Sequence, residues 1–267
     1  MGADTKALRN RIKSVDSTLH LTKAMGLVAG SKIRRATDAM LKSRDYDAAL
    51  SQTIAMLTTS RECRKSPYMQ TRDGETRLIV IAGDRGMAGG YNANVFRLVR
   101  DYPDAVLLPI GKRACDRYDA PFRSSESFPA ADAYRLAKEL CEDFAAGRYA
   151  RLGIVSTAYV SMMTQQAKLT WLLPLTAPET APASTAIFEP DERTILDAAI
   201  PEYVAGRLVA ALRESFACEV AARRMAMDSA GKNAQTMIDN LQLEYNRARQ
   251  SAITQEITEI VAGAGAD

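Results

Sequence analysis

Apolar residues recur in alternating steps of four and three through the first sixty residues of the chain. The frame runs through Leu8, Ile12, Val15, Leu19, Thr22, Gly26, Ala29, Ile33, Ala36 and Met40, and is taken up again by Leu50, Ile54 and Leu57. A heptad pattern of this length predicts a long helix with a left-handed coiled-coil partner. Because the pattern is small in its middle, at Thr22, Gly26 and Ala29, the partner backbone must come close there. Gly26 and Gly30 each cost about 1 kcal/mol of helix propensity relative to Ala, which suggests a steric reason or a local weakness.

A second pattern of the same kind closes the chain. From about Asp191 onward the sequence predicts an almost wholly helical segment, with Pro201 expected in its first turn. The apolar stripe passes through Met227, Ala230, Ala234, Ile238, Leu241, Tyr245, Ala248 and Ala252. We therefore expect the two long helices to pair antiparallel with each other.

The middle of the chain has a different hydrophobic pattern, in which short apolar runs alternate with amphipathic segments. Strands are predicted at residues 78–82, 106–111, 152–156 and 169–175, helices at 92–100 and 130–146, and a surface loop at 176–185. The predicted fold class is α/β: a long antiparallel coiled coil of N- and C-terminal helices with a Rossmann-like α/β domain inserted between them. The expected divisions are 1–65 for the first helix, 66–190 for the globular domain and 191–267 for the last helix.

Composition excludes several classes of protein. The 267 residues are 47% hydrophobic and 25% charged with a net charge of +3, which is typical of a globular chain and too balanced to indicate nucleic acid. One histidine and four scattered cysteines without a C-x-x-C pair argue against a zinc site, and indicate reduced thiols in a cytoplasmic setting. We expect no metal, no cofactor and no insertion into a membrane.

Candidate chemistry is sparse. The glycine cluster Gly83–Gly90 follows a predicted strand but lacks both G-x-x-x-x-G-K-[ST] and G-x-G-x-x-G, so a structural or contact loop is favoured over a nucleotide site. His20 has no catalytic constellation around it. Lys32, Arg34 and Arg35 form a basic cluster without interleaved aromatics, which is weak as a nucleic-acid signal and could instead meet an acidic protein surface. The sequence favours a chain that touches other proteins.

Several segments, collinear from end to end, resemble the gamma subunit of F-type ATP synthase. The segments that carry the resemblance are residues 12–15, 21–25, 28–29, 31–36, 84–92, 189–191, 221–223, 241–250 and 252–261. The most specific of them is the run from Leu241 to Val261. The chain departs from the usual pattern at Gly26, Leu27, Gly30, Ala88 and Arg224.

The resemblance implies a function without catalysis. It implies a rotor shaft that turns inside a ring of alpha and beta subunits, with the α/β domain as a foot beside the epsilon subunit and the membrane c-ring. It implies a location at the cytoplasmic face of a bacterial membrane, as a peripheral part of the complex.

The resemblance also implies two sets of contact residues. Contacts with the catch loop of a beta subunit are expected at Arg249, Gln250, Thr254 and Glu256. Contacts with an acidic lever of the beta subunit, near the neck, are expected at Lys23, Met25, Arg85, Ala88 and Arg223. Two alternatives stay open: a free coiled-coil adaptor of the same fold, and a nucleotide-binding enzyme that uses the Gly83–Gly90 loop.

Overall fold

The computed structural model describes residues 2–178 and 188–264, with side chains at 5–178 and 188–261. Tertiary contacts group the chain into two compact units: Met1–Ala29 with Arg224–Asp267, and Gly30–Arg223. The division into 1–65, 66–190 and 191–267 stays a prediction, and most of the loop expected at 176–185 lies outside the described residues.

Two long helices, α1 (Gly2–Thr58) and α5 (Glu192–Ala264), begin and end the described chain. In the first unit their apolar seams are buried as the heptad pattern predicts, since every seam residue of α5 from Met227 to Ala252 is buried or half-buried. Leu19 packs with Ala234 and Ile238, and a Cβ added at Gly26 would lie 3.6 Å from Cβ of Met227. Residue numbers rise along α1 as they fall along α5, so the predicted antiparallel pairing is confirmed in this unit.

The second unit contains the other halves of both helices, which are also antiparallel. Its seam includes two polar positions that the apolar pattern skips, because Asp47 accepts a hydrogen bond from Arg207 at 2.6 Å and Ser43 accepts one from Arg213 at 2.6 Å. The tightest approach is at Gly206, where an added Cβ would lie 2.5 Å from Cδ1 of Leu50. The closest approach of a side chain to a glycine in the helix pairing is therefore at Gly206 rather than at Gly26.

The expectation for Pro201 is wrong. Proline is usual in the first turn of a helix, but α5 begins at Glu192 and Pro201 lies inside it. A proline at such a position removes a backbone hydrogen bond and costs about 3 kcal/mol. The neighbouring Leu196, Ile200 and Val204 are completely buried, and their packing offsets that cost.

A four-stranded sheet in the order β2-β1-β3-β4 forms the rest of the second unit. Strands β1 (Thr76–Ile81), β2 (Val106–Ile110) and β3 (Arg151–Tyr159) are parallel, and β4 (Gln165–Leu173) is antiparallel to β3. The helices between them are α2 (Tyr91–Val99), α3 (Lys112–Arg117) and α4 (Ala130–Ala145). The predicted strands and helices are confirmed, and α3 is an addition that the sequence pattern did not indicate.

Both faces of the sheet are covered, as continuous apolar strands require. Leu78 and Val80 point to one face and pack with Val95 of α2, whereas Ile79 and Ile81 point to the other. That second face is covered by α4, α1 and the start of α5, which join it in one apolar core. The predicted fold class is confirmed: long terminal helices with an α/β sheet inserted between them in the sequence.

Candidate interaction surfaces: the glycine loop and the exposed face of α5

The Gly83–Gly90 segment, called the glycine loop from here on, follows β1 at the edge of the sheet where the parallel strands end. Asp84 holds it in place, because its carboxylate accepts hydrogen bonds from the Ser124 hydroxyl at 2.6 Å and from the backbone N–H groups of Lys112, Ser125 and Glu126. Burial by itself would raise the pKa of Asp84, but these hydrogen bonds outweigh it and lower that pKa. Asp84 therefore acts as a fixed anion that ties the loop to the segment after β2.

A carboxylate of helix α5 lies against the inner side of the glycine loop. Glu219, with 3% of its side chain exposed, forms an ion pair with Arg223, with 11% exposed. The backbone N–H of Arg85 donates to the same carboxylate at 3.4 Å, and Nε of Arg223 donates to the Gly86 carbonyl at 3.2 Å. A Cβ added at Gly83 would lie 2.7 Å from Cδ of Glu219, so glycine is required there by close approach of the carboxylate.

This arrangement bears on the nucleotide alternative. In open α/β sheets, phosphates bind at the carboxyl ends of the strands where the strand order reverses, which here is beside β1 and β3. The Glu219 carboxylate lies against the glycine turn at that place, so an incoming phosphate would meet a buried like charge. Gly83, the first residue of the cluster, is accounted for by a contact within the chain.

Tyr91 adds a second link between the loop and α5. Its hydroxyl donates to the Ser215 carbonyl at 3.0 Å, and burial raises the pKa of this phenol far above its ordinary range. Ala88, Tyr91 and Cys218 form one buried apolar cluster, with Tyr159 at its border.

The residues expected to meet the acidic lever divide into three groups. Arg85 leaves 61% of its side chain exposed, although its guanidinium is 3.6 Å from a carboxylate oxygen of Glu126. Ala88 is 3% exposed and Arg223 is paired internally, so both support the loop from within. Lys23 is exposed and Met25 is half-buried, and both belong to the first unit.

The residues expected at the catch loop are alike in their exposure to solvent. Arg249, Gln250, Thr254 and Glu256 are all exposed, whereas Ala248 and Ala252 on the seam are half-buried. The Thr254 hydroxyl donates to the backbone carbonyl of Gln250 at 2.9 Å, which leaves the side-chain amide of Gln250 available. Beyond the seam an apolar stripe is exposed as well, and it comprises Ile253, Ile257, Ile260 and Val261.

Two departures from the family pattern contact each other. Nη1 of Arg224 donates to the Gly26 carbonyl at 2.8 Å, and both residues line a groove of 480 Å³ in the first unit. The arginine at this position therefore hydrogen-bonds the helix backbone opposite it rather than lying free.

Sequence reasoning missed two acids of α5, the half-buried Glu214 and the buried Glu219. Glu214 accepts hydrogen bonds from Arg44 at 2.7 Å and from the Tyr159 N–H at 3.0 Å; burial alone would raise its pKa, but these partners lower it. Glu219 was missed although a signal existed, because it is a single carboxylate in an otherwise apolar helical run with an arginine at i+4. His20 is exposed, 3.7 Å from Asp16.

No helix of the described residues carries an apolar stretch long enough to cross a membrane. No group of three or more His, Cys, Asp or Glu side chains in the same residues could hold a metal ion.

The chain is similar to known proteins over nearly its whole length. A family model described as ATP synthase matches residues 4–266. The ATP synthase gamma chain of Ruminococcus albus is 38% identical over 276 residues, which cover 97% of this chain and 96% of that protein.

Two solved structures share the fold. One is from the OSCP/F1/c-ring assembly of Euglena gracilis mitochondrial ATP synthase, with a TM-score of 0.68, 17% identity, and coverage of 100% of this chain and 95% of that chain. The other is from the central stalk and c-ring of Tetrahymena thermophila mitochondrial ATP synthase, with a TM-score of 0.62, 22% identity, and coverage of 79% and 99%. On the full-length sequence match and the shared fold, this chain belongs to the ATP synthase gamma-chain family.

Proposed function

We propose that this chain is the central rotor shaft of an F-type ATP synthase, which couples ion flow through the membrane c-ring to ATP synthesis or hydrolysis on the beta subunits. A gamma chain is a non-catalytic subunit of that complex. In this proposal the chain works with the alpha, beta and epsilon subunits and the c-ring, as a peripheral part of the complex at the cytoplasmic face of a bacterial membrane.

The observation that carries the proposal is the division of α5 into two faces near its end. One face, through Tyr245, Ala248 and Ala252, is half-buried, while Arg249 and Gln250 are exposed to solvent. An exposed guanidinium and amide on a regular helix are suited to hydrogen bonds with successive partners, because neither is committed to a partner within the described residues. The exposed Ile253, Ile257 and Ile260 would be shielded from water by an enclosing ring.

The proposed lever contact divides into direct and supporting roles. Arg85 and Lys23 are exposed and would face an acidic segment of the beta subunit directly, with Met25 beside Lys23. Arg223 and Ala88 would act by holding the glycine loop in position. Attraction between exposed charges of this kind is modest, about 0–1 kcal/mol per pair, and weakens with salt.

The test is reconstitution with alpha and beta subunits followed by an ATPase assay. The Arg249→Ala/Gln250→Ala double variant should form the complex and lose turnover, because both side chains are exposed and their loss leaves the fold intact. The matched control is Arg97→Ala/Gln52→Ala, an exposed arginine and glutamine in the second unit, which should keep its turnover.

Two results would count against the proposal at different levels. Unchanged coupled activity in the Arg249/Gln250 variant would remove the contact assignment but leave the shaft. A folded chain that never joins alpha and beta subunits would remove the shaft, and would favour the adaptor.

A further inference from the structure

The glycine loop holds one large apolar side chain in solvent. Met87 is 61% exposed, although the next residue, Ala88, belongs to the buried cluster with Tyr91 and Cys218. The backbone around Met87 is anchored, because the Asp84 carboxylate accepts hydrogen bonds from the segment after β2. The exposure of Met87 therefore follows from the path of an anchored backbone.

The backbone at Met87 is also strained. Its φ is 58°, in the left-handed region where the Cβ of an ordinary side chain is crowded by the following carbonyl oxygen. Among the described residues the other non-glycine with positive φ is Asp119, and a short polar side chain tolerates that region better than methionine does. Gly89 has the same φ of 58° with no Cβ to crowd. A glycine at position 87 would relieve the strain, and backbone strain that persists in this way clusters at functional sites.

The side chains near Met87 indicate what kind of partner it would meet. Arg85 is separated from Met87 by one residue, so their Cα atoms lie within about 7 Å of each other. Arg85 offers a guanidinium that is 61% exposed, and Met87 offers an unbranched thioether. A partner that meets both must carry a carboxylate and an apolar side chain close together. Because methionine is flexible and polarisable, it can pack against successive surfaces that differ in shape.

We propose that Met87 is a contact residue for the beta subunit, where it packs against an apolar side chain beside the carboxylate that Arg85 meets. This inference rests on the proposed function and adds an apolar component to a contact described so far by charge. Burial of the thioether on the partner offsets the backbone strain that the free chain carries. Salt screens the attraction between charges but leaves apolar burial in place, so the contribution of Met87 should persist as salt is added.

Protection from oxidation tests the contact without any change to the chain. Hydrogen peroxide converts an exposed methionine to its sulfoxide, and mass spectrometry of peptides gives the rate at each position, in the free chain and in the complex reconstituted with alpha and beta subunits. Met87 should be oxidised about five-fold more slowly in the complex. The reference is Met163, which is 75% exposed in the turn between β3 and β4, and its rate should change by less than about two-fold. Equal oxidation of Met87 in both states, or equal protection of both methionines, would overturn the proposal.

Three variants separate the contact from the strain. Met87→Leu keeps an apolar side chain and should assemble like the parent chain. Met87→Gln is polar, so about ten-fold more chain should be needed for half-maximal ATPase activity, as expected when the burial of one apolar side chain is lost. Met87→Gly removes the side chain and the strain together. It should need a similar excess, while its urea midpoint, followed by the fluorescence of Trp171, equals or exceeds that of the parent chain.

The matched control for the strain is Asp119→Gly, which relieves the other positive φ and should leave assembly unchanged. Weaker assembly without a loss of stability is a result that a purely structural role for Met87 would not give. A lower urea midpoint for Met87→Gly would contradict the strain, and a deficit of Met87→Gln that disappears at high salt would contradict the apolar contact.

Failure of this inference is distinguishable from failure of the proposed function. If the parent chain forms an active complex and Met87→Gln assembles as well as Met87→Leu, the contact is wrong and the shaft stands. If the parent chain never joins alpha and beta subunits, the proposed function fails and this inference fails with it.

Discussion

Replacing Gly83 with alanine would test whether the glycine loop is locked to α5 by the Glu219 carboxylate. The added methyl would lie 2.7 Å from Cδ of Glu219 and 2.9 and 3.0 Å from its two oxygens. Real Cβ atoms do not approach other atoms so closely, so the carboxylate or the loop must move. The carboxylate is not free to rotate away, because Arg223 and the N–H of Arg85 both hold it.

The expected loss of stability depends on whether the loop or the Glu219 carboxylate moves. If the loop shifts and the ion pair survives, the strain is that of an overpacked core, about 1–3 kcal/mol. If the carboxylate is displaced and Arg223 loses its partner, breaking a buried pair costs about 3–5 kcal/mol. The Glu219 carboxylate is at the end of its side chain, so it can shift part of the way while it stays bonded to Arg223. We therefore expect a loss of about 2–3 kcal/mol in the free energy of unfolding of the second unit.

Urea unfolding followed by the fluorescence of Trp171 measures this change, because Trp171 is the only tryptophan and lies on β4 of the same unit. The matched control is Gly90→Ala in the same loop. Gly90 has φ −80°, and its added Cβ would meet Asn94 at 3.7 Å, an ordinary contact, so we expect a change below about 1 kcal/mol.

A double-mutant cycle tests whether the Glu219 carboxylate is the group that the added methyl meets. In a Glu219→Ala background the obstacle is gone, so Gly83→Ala should cost less than about 1 kcal/mol. If Gly83→Ala costs the same with and without the Glu219 carboxylate, or no more than Gly90→Ala, the proposed lock does not constrain the loop.

Three further changes have expected results that the structure fixes. Gly26→Ala should raise the thermal stability of the helix pair in the first unit by up to about 1 kcal/mol, because its methyl would meet Cβ of Met227 at an ordinary 3.6 Å; a lower melting temperature by circular dichroism would contradict this. The pKa of Asp84 is lowered in the fold from an ordinary value of 3.8, so its contribution to stability is present above that value and is lost as pH falls through the folded pKa. Between about pH 5 and pH 3 the free energy of unfolding, measured with urea, should therefore fall further for the parent chain than for Asp84→Asn. Equal falls would show that the carboxylate is not the titrating group. Thiol reagents at neutral pH should modify no cysteine until the chain unfolds, as timed labelling and mass spectrometry would reveal, because all four are buried and burial raises the pKa of Cys141 and Cys218 to about 12. Rapid labelling of any of them in the folded chain would refute the buried setting of that thiol.

The elements of the fold were readable from the sequence because their signals are local. The heptad frame of α1 predicts its buried face because side chains three and four residues apart share one side of a helix. The runs at residues 78–82 and 152–156 predict central strands because only a strand covered on both faces is apolar at every position. The paired faces near Arg249 were also readable, since the same periodicity separates the seam from the exposed residues.

The internal polar contacts depended on the tertiary structure. Glu219 becomes a lock only because β1 ends beside α5, 136 positions earlier in the chain at Gly83, and nothing near either residue encodes that meeting. Ser43 and Asp47 interrupt the apolar frame of α1, and their arginine partners on α5 are known only once the two helices are paired. Pro201 breaks a local rule, and the helix continues through it because its neighbours are completely buried.

The sequence by itself therefore determined which residues face inward, because burial follows a period that each segment carries alone. The tertiary structure decided which charges are satisfied and which remain available. Arg223 and Arg85 are both cations near one loop, yet the first forms a buried ion pair with Glu219, while the second leaves 61% of its side chain exposed although it lies 3.6 Å from a Glu126 oxygen. The physical reason is that an ion pair needs two groups within about 4 Å, and the fold, rather than the spacing along the chain, brings such groups together.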